Sequence, residues 1–588
     1  MSRASCGRGL SARSIGLAVL FLALGFRGVE AQWKQRFGVA TPMRDGIKLV
    51  SDIYIPADTG RWPTILIRTP YVKTPQFKRY KLAAYLQNGY AVVLQDTRGR
   101  GDSEGEFDFY FPEGKDGFDT IEWIAKQSWS NGRVGTDGGS YLGTVQWLAA
   151  REQPPALACM ISTAPSGRIF DEIPYLGGAW RGEWAIPWLS GVAGRVSQSD
   201  LAELIRWTDV LKHRPLATMD AQAGRELPLY RQFLAHPTLD DYWKRIQFGP
   251  ADFEKIKVPV MTVTGWFDGD QLGALFYWDG MEKRGGQEDT RWLTIGPWTH
   301  AMTYLGGERK LGQFEVPQEA IIPIQENRIA FFDWCLKQSV KSVGFPRVRI
   351  FVTGANRWIH AEKYPLPEVE TKSLYLRSGG AANTSSGNGR LTWEAPGQEP
   401  VDTFTYDPRK PVPSKSIMSD HRVIQTRPDV LVYTSEALGE PVEIVGRVFV
   451  TLVAATDAVD TDFTAKLLDV YPDGRALLLG PSEIGVKRAR YRNGYERTEL
   501  LTPGKAEEYR IELFDIGHRF LPGHKIRVEI SSSASPFITP NSNTGLPIAS
   551  DTSFRVARQT IYHDSARPSR VLLPVIPIRD SVTTGTRP

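Results

Sequence analysis

The sequence predicts a mixed α/β fold: a parallel sheet covered on both faces by helices, interrupted by a helical insertion and followed by an all-β sandwich. Three observations carry this. Continuous apolar strands alternate with helices near the start of the chain. A tryptophan-rich stretch without a strand run separates two such blocks. Past about residue 346, apolar and polar residues alternate with period two between clusters of Gly, Pro and Asn. The chain has 588 residues, which at roughly 100–200 residues per domain is room for several units. The expected divisions are 32–166 and 256–345 for the two parts of the α/β unit, 167–255 for the insertion and 346–588 for the β unit.

The elements follow in order. Arg3, Arg8 and Arg13 precede the apolar run Ile15–Phe26, which is shorter than the roughly 20 residues a membrane span needs. Small residues then end at Ala31. This reads as a signal peptide over 1–31, so an exported protein, periplasmic or secreted, is expected, with no stable membrane span. "VATPMRDGIKLVSDIYIP" reads as a hairpin around Asp45-Gly46, and "PTILIRTPY" as a buried strand ending at Tyr71. A helix, the strand "AVVLQD" and a glycine-rich turn come next. In "DGFDTIEWIAKQ", Phe118, Ile121, Ile124 and Ala125 share one helix face. "LACMISTAP" is a further buried strand. The insertion reads as helical, through "RIFDEIPYLGGAWRGEWAIPWL", "SDLAELIRWTDVLKH" and "LDDYWKRIQF". The parallel pattern resumes at "VPVMTVTGWFDGD" and "TRWLTIGPWTH", and the helix "QENRIAFFDWCLKQ" closes the unit. "RVRIFVTG" is taken as the first strand of the β unit.

Composition excludes some functions. Hydrophobic residues make up 41 % and charged residues 23 %, an ordinary globular balance. The net charge is +5, of which the first 31 residues hold +3, leaving +2 for the rest. That gives no electrostatic case for nucleic acid. Cys159 and Cys335 sit among apolar residues and read as buried thiols, with a disulfide between them left open. No CxxC or HExxH spacing occurs, so neither a metal site nor a cofactor is expected.

The chemistry centres on "GTDGGSYLGTVQW". A short strand leads into Gly138-Gly139-Ser140, and a helix continues from Tyr141. A serine on a strand–turn–helix junction between glycines is the nucleophile elbow of α/β-hydrolases. Small neighbours are needed because the backbone is strained there, and the helix start offers N–H groups to a developing anion. The generic spacing puts the second glycine at position 142, where this chain has Leu142, with Gly143 one place later. The serine needs a base and the base an orienting acid. Asp268 follows one predicted strand and His300 another, in the Ser–Asp–His order of this fold. The chain has only eight His, which makes the placement of His300 more telling.

With these residues in view, the sequence resembles a known family. "GGSYLG", "DTRGRGDSEGEF", "GWFDGD" and "GPWTH" look like blocks of the CocE/NonD-type serine hydrolases, in the same order. That group includes cocaine esterase, X-prolyl dipeptidyl-peptidases, α-amino acid ester hydrolases and glutaryl cephalosporin acylases. The resemblance implies an α/β-hydrolase domain, an inserted helical cap and a C-terminal jelly roll. It implies Ser140 as nucleophile, His300 as base and Asp268 as its acid. It also implies an oxyanion hole from the Tyr71 phenol and the Tyr141 backbone N–H. A small ester, amide or short peptide is the implied substrate.

Other candidates are weaker. Asp270 lies where the amino acid ester hydrolases place carboxylates that bind a substrate α-ammonium. Their next acid is Gln271 here, and Asp171 and Glu172 from the insertion have no firm match to the remaining carboxylate. Trp266, Phe267 and Trp298 flank the proposed acid and base, as walls of an acyl pocket or as core. "RGRGDSEG" reads as a structural loop under the site. Asp457, Asp460 and Asp462 read as a solvated strand connection rather than a calcium site. Two function classes stay open, a serine hydrolase and a non-catalytic ligand-binding protein on the same scaffold; the complete set of Ser140, Asp268, His300 and Tyr71 favours the first. A homo-oligomer is left open.

Overall fold

The computed structural model describes residues 33–198, 201–284, 290–415, 417–481 and 485–578; the expected signal segment, 1–31, lies outside them. A ten-stranded sheet organises the first part of the chain. Strands β1 (Lys34–Pro42) and β2 (Lys48–Ile55) form the expected hairpin at one edge. Then come β3 (Trp62–Thr69), β4 (Ala91–Asp96), β5 (Ser130–Gly139), β6 (Leu157–Thr163), β7 (Val260–Phe267), β8 (Arg291–Thr299), β9 (Val348–Val352) and β10 (Arg357–Ala361). Their order is β1-β2-β4-β3-β5-β6-β7-β8-β9-β10, parallel from β4 to β9. Every residue of β4 and β7 is buried, as continuous apolar runs covered on both faces require.

Helices α1 (Glu113–Ala125) and α2 (Tyr141–Arg151) pack on this sheet. Ile121 and Ile124 of α1 are buried as their spacing predicts, while Phe118 is half-buried beneath the Arg44 guanidinium. Helices α3 (Gly182–Val192), α4 (Gln271–Arg284), α5 (His300–Leu305) and α6 (Ile324–Phe332) complete the elements that surround the site.

The structure corrects several expectations. Residues 168–181 are turns and a small hairpin, with helix only from Gly182. Gly177 and Gly178 explain it: both have positive φ, and a Cβ on Gly177 would lie 1.8 Å from the Val486 carbonyl oxygen. The chain must pass against the β unit there, and a helix cannot make that turn. "RVRIFVTG" is not the first strand of the β unit, because β9 pairs in parallel with β8 in the first sheet. Its five strand residues are all buried, which a strand covered on both faces shares with a sandwich strand. The crossing into the β unit therefore falls after β10. Cys159 and Cys335 are not free thiols; they form a disulfide between β6 and the turn that follows α6.

Among the described residues, the rest of the chain is an all-β sandwich of twelve paired strands, built on the long antiparallel pair Val442–Thr456 and Glu507–Phe520. Asp460 and Asp462 are not solvated here. Both are fully buried, bound by Arg490 and Arg488 respectively, and both accept from Asn541 Nδ2.

Candidate active site

Neighbouring parallel strands end at one crevice. Tyr71 follows β3, Ser140 follows β5, Asp268 follows β7 and His300 follows β8. In open α/β sheets this carboxyl-end crevice is where ligands bind.

Ser140 sits at the N-cap of α2 with φ 60° and ψ −129°, a conformation that side chains seldom adopt. Its own N–H donates to Thr163 O at 2.9 Å, which locks the turn onto β6. A Cβ on Gly138 would stand 2.5 Å from Leu142 Cβ, and one on Gly143 would stand 2.9 Å from Thr163 O. The displaced glycine is thereby explained. The position that meets the next strand is 143, whereas Leu142 is buried in the core.

His300 opens α5, and its Nδ1 lies 2.8 Å from Asp268 Oδ1. Asp268 is fully buried and is held on three sides. Oδ1 also accepts from the Asp270 N–H at 3.0 Å, and Oδ2 accepts from the Thr264 hydroxyl at 3.0 Å. With the carboxylate as acceptor, Nδ1 donates and Nε2 is left as the basic nitrogen. The Tyr304 hydroxyl stands 3.5 Å from Nε2.

The Tyr71 hydroxyl accepts from Trp188 Nε1 at 3.0 Å and is hydrogen-bonded to Ser140. Burial pushes its phenol above the ordinary pKa, against the pull of the Trp188 and Ser140 hydrogen bonds, so the proton is retained at neutral pH. Accepting from Trp188 leaves that proton free to be donated. Tyr141 is the first residue of α2, where early helix N–H groups lack helical partners. Its phenol is turned away, hydrogen-bonded to Glu113 at 2.9 Å and to Phe109 O.

Ser140, Tyr71, Tyr141, His300 and Tyr304 line a cavity of about 360 Å³, together with Arg79, Tyr110, Arg181, Trp184, Trp188 and Asp270, while Asp268 lies buried behind His300. Trp266 and Trp298 are not among its walls. They are 1 % and 0 % exposed, and their indole N–H groups donate to Phe351 O and Ala320 O. The large strands that carry the acid and base bury their aromatics in the core. The aromatic wall comes instead from α3, whose Trp184 and Trp188 stack at 5.3 Å. Their four-residue spacing on one helix was the available signal.

Asp270 Oδ2 lies 3.8 Å from His300 Nδ1. Glu172 is buried beneath and accepts backbone N–H groups from Gly167, Arg168 and Gly273. Burial, and then the charge of Asp270, push its carboxyl well above the usual range. Asp171 is committed elsewhere, to Arg168 and to the Gly177 N–H. Gln271 is structural: its amide donates to Asp515 O and accepts from Asp515 N, pinning the Asp268 loop to the β unit. A carboxylate could accept there but not donate. The "RGRGDSEG" loop also braces the site from below. Arg100 donates to Pro70 O and to Val192 O, joining the Tyr71 turn to the end of α3.

Residues 45–302 match the family described as X-Pro dipeptidyl-peptidase (S15 family), and residues 343–572 match its C-terminal non-catalytic domain. The chain is 36 % identical over 589 residues to a cocaine esterase of Rhodococcus sp. (strain MB1 Bresler), covering 93 % of this chain and 100 % of that protein. An aminopeptidase from the marine sediment archaeon Thaumarchaeota archaeon shares the fold with a TM-score of 0.82 and 27 % identity, over 93 % of this chain and 97 % of that one. A solved α-amino acid ester hydrolase matches equally, at 0.82 and 27 %, over 92 % of this chain and 96 % of the other.

Proposed function

Because the chain belongs to the CocE/NonD family of serine hydrolases, with the X-Pro dipeptidyl-peptidase S15 type as its matched model, we propose that it cleaves small acyl esters or amides through an acyl-enzyme on Ser140. The observation that carries this is the 2.8 Å His300–Asp268 contact at the cavity that Ser140 and Tyr71 also line. In this reading Ser140 Oγ attacks the carbonyl carbon while His300 Nε2 takes its proton. The oxygen becomes an oxyanion and accepts from the Tyr71 phenol and the Tyr141 N–H. The bond to the leaving group then breaks as the imidazolium returns the proton to it. Water, deprotonated by His300, releases the acid and restores Ser140. Asp268 accepts from the Nδ1–H and holds the imidazole in the tautomer that the steps require.

Ser140→Ala should lower kcat for an acyl ester by about 10⁴-fold or more with circular dichroism unchanged. Undiminished turnover in that variant would refute the assignment.

The acyl side favours an amine. Asp270 faces the cavity with Glu172 buried behind it, and an ammonium there would offset their mutual repulsion. The relatives named for amino acid esters and for aminopeptidase activity point the same way. An α-amino acyl ester should then outpace its des-amino analogue, and Asp270→Ala should erase the difference; equal kcat/KM for the two in the native enzyme removes the idea. Export is part of the same proposal. Residues 1–31 read as a signal peptide, and a disulfide in the hydrolase core suits an oxidising compartment. Cell fractionation tests it, since a purely cytoplasmic, full-length product contradicts it.

A further inference from the structure

One cation in the cavity has no structural duty. The Arg79 side chain is exposed at the cavity and stacks on the Tyr304 ring, with its Cζ 4.8 Å from the centroid. Among the described residues no carboxylate lies within ion-pair distance of it. The other cavity arginine differs: Arg181 is buried, donates to Glu172 O and lies over Phe537. The one cavity carboxylate, Asp270, stands at the Nδ1 edge of His300.

Arg79 stands at the opposite edge. Tyr304, on which it rests, brings its hydroxyl to 3.5 Å from His300 Nε2. Nε2 is the nitrogen that returns the proton to the departing group. A group leaving along that edge passes Tyr304 and meets the guanidinium. Tyr304 is itself fixed there, because Gly139 leaves room for its ring: a Cβ at 139 would come within 2.4 Å of it. The tyrosine is buried, so the guanidinium rests on a rigid aromatic face.

We infer that Arg79 is a leaving-group subsite, and that it selects substrates whose departing alcohol or amine carries a carboxylate near the scissile bond. Guanidinium and carboxylate match as a two-pronged, charge-assisted pair. This rests on the Ser140 reading and deepens it by naming the chemistry on the departing side. Together with Asp270, it places an anion-seeking and a cation-seeking group at the two edges of one imidazole. The matching substrate is an acylated amino acid or hydroxy acid, with the charge on the departing half.

The test uses two esters that differ only in the leaving group, meta-acetoxybenzoate and meta-acetoxybenzamide, assayed at low salt with the full-length enzyme. The exposed site limits the expected preference for the carboxylate to about fivefold in kcat/KM, carried by KM. Arg79→Gln should bring the ratio to about one, and Arg79→Lys should retain part of the preference. Using a ratio cancels any general disturbance of Tyr304 or His300. An unchanged ratio in Arg79→Gln, with turnover of both esters still dependent on Ser140, overturns the inference alone. Undiminished turnover of both esters by Ser140→Ala overturns the reading beneath it, and the inference with it.

Discussion

The two halves of the molecule treat buried carboxylates in opposite ways. In the hydrolase half, burial pushes Asp96, Glu113, Asp137 and Glu172 above their ordinary range and takes Asp279 to about 6. In the β half burial acts in the same direction, yet Asp402, Glu512 and Glu529 end below theirs, Glu529 at about 2. The difference lies in the partners. Glu529 accepts from His421 and Gln425, with Lys466 3.7 Å away. In the hydrolase half the cations offset burial less completely: Lys73 divides itself between Asp96 and Asp102, Arg328 stands 3.9 Å from Asp137, and Glu113 stays raised beside Arg68 at 2.7 Å because the charge of Asp116 adds to burial. Of these, Glu172 lies against the crevice, where the charge of Asp270 adds to its burial. The β half uses charge as mortar, and its Asp515 backbone braces the loop that carries Asp268.

Substitutions on the two sides should therefore fail differently. The largest expected effect is in catalysis: Asp268→Asn should cost about 10⁴-fold in kcat, because the imidazole loses its tautomer, while the protein stays folded. Steady-state kinetics beside a melting curve separates the two outcomes. Glu529→Gln should do the reverse, removing about 3–5 kcal/mol of stability by stranding His421 and Lys466, with kcat/KM of the surviving fold little changed. Denaturant titration at neutral pH measures it. The sign with pH follows from the folded value of about 2 against an ordinary 4.5. The stabilisation is present above about 4.5 and lost as pH falls through about 2, so the variant's deficit should shrink on acidification. Asp279, raised to about 6 from 3.8, runs the other way. Its contribution is present below 3.8 and lost as pH rises through about 6. A deficit for Glu529→Gln that grows on acidification would break the comparison.

Smaller effects sharpen it. Tyr71→Phe should lower kcat by about 10²–10³-fold, the worth of one oxyanion donor, with little change in KM. Replacing both Cys159 and Cys335 by Ala should cost about 2–4 kcal/mol without touching kcat/KM, since the bond ties β6 to the turn after α6 behind the crevice. Chemical denaturation checks that, and a large loss of kcat would mean that the disulfide positions the site.

The frame of the site was legible in the sequence because each key residue follows an apolar strand. Ser140, Asp268, His300 and Tyr71 inherit their places from β5, β7, β8 and β3, and that inheritance is local. The walls were not legible. Trp266 and Trp298 lie next to the acid and base in sequence, yet strand geometry sends them into the core. Trp184 and Trp188 reach the cavity from α3, the helix that follows the Gly177-Gly178 turn. Gln271 looked like a lost carboxylate, and its role needs a partner 244 residues away in the β half. β9 reads as a strand of the β unit yet pairs with β8, because a short, fully buried strand has the same sequence pattern in either setting. Arg79 carried no pattern at all; its place depends on Tyr304 and on the gap left by Gly139.

The most direct measurement is covalent labelling with a fluorophosphonate, followed by mass mapping of the modified peptide in the native enzyme and in a folded His300→Ala variant. The expected result is a single adduct on Ser140, formed in the native enzyme and suppressed by orders of magnitude when the imidazole is gone. An adduct on another residue, or equally fast labelling of Ser140 without His300, would contradict a serine activated by that histidine.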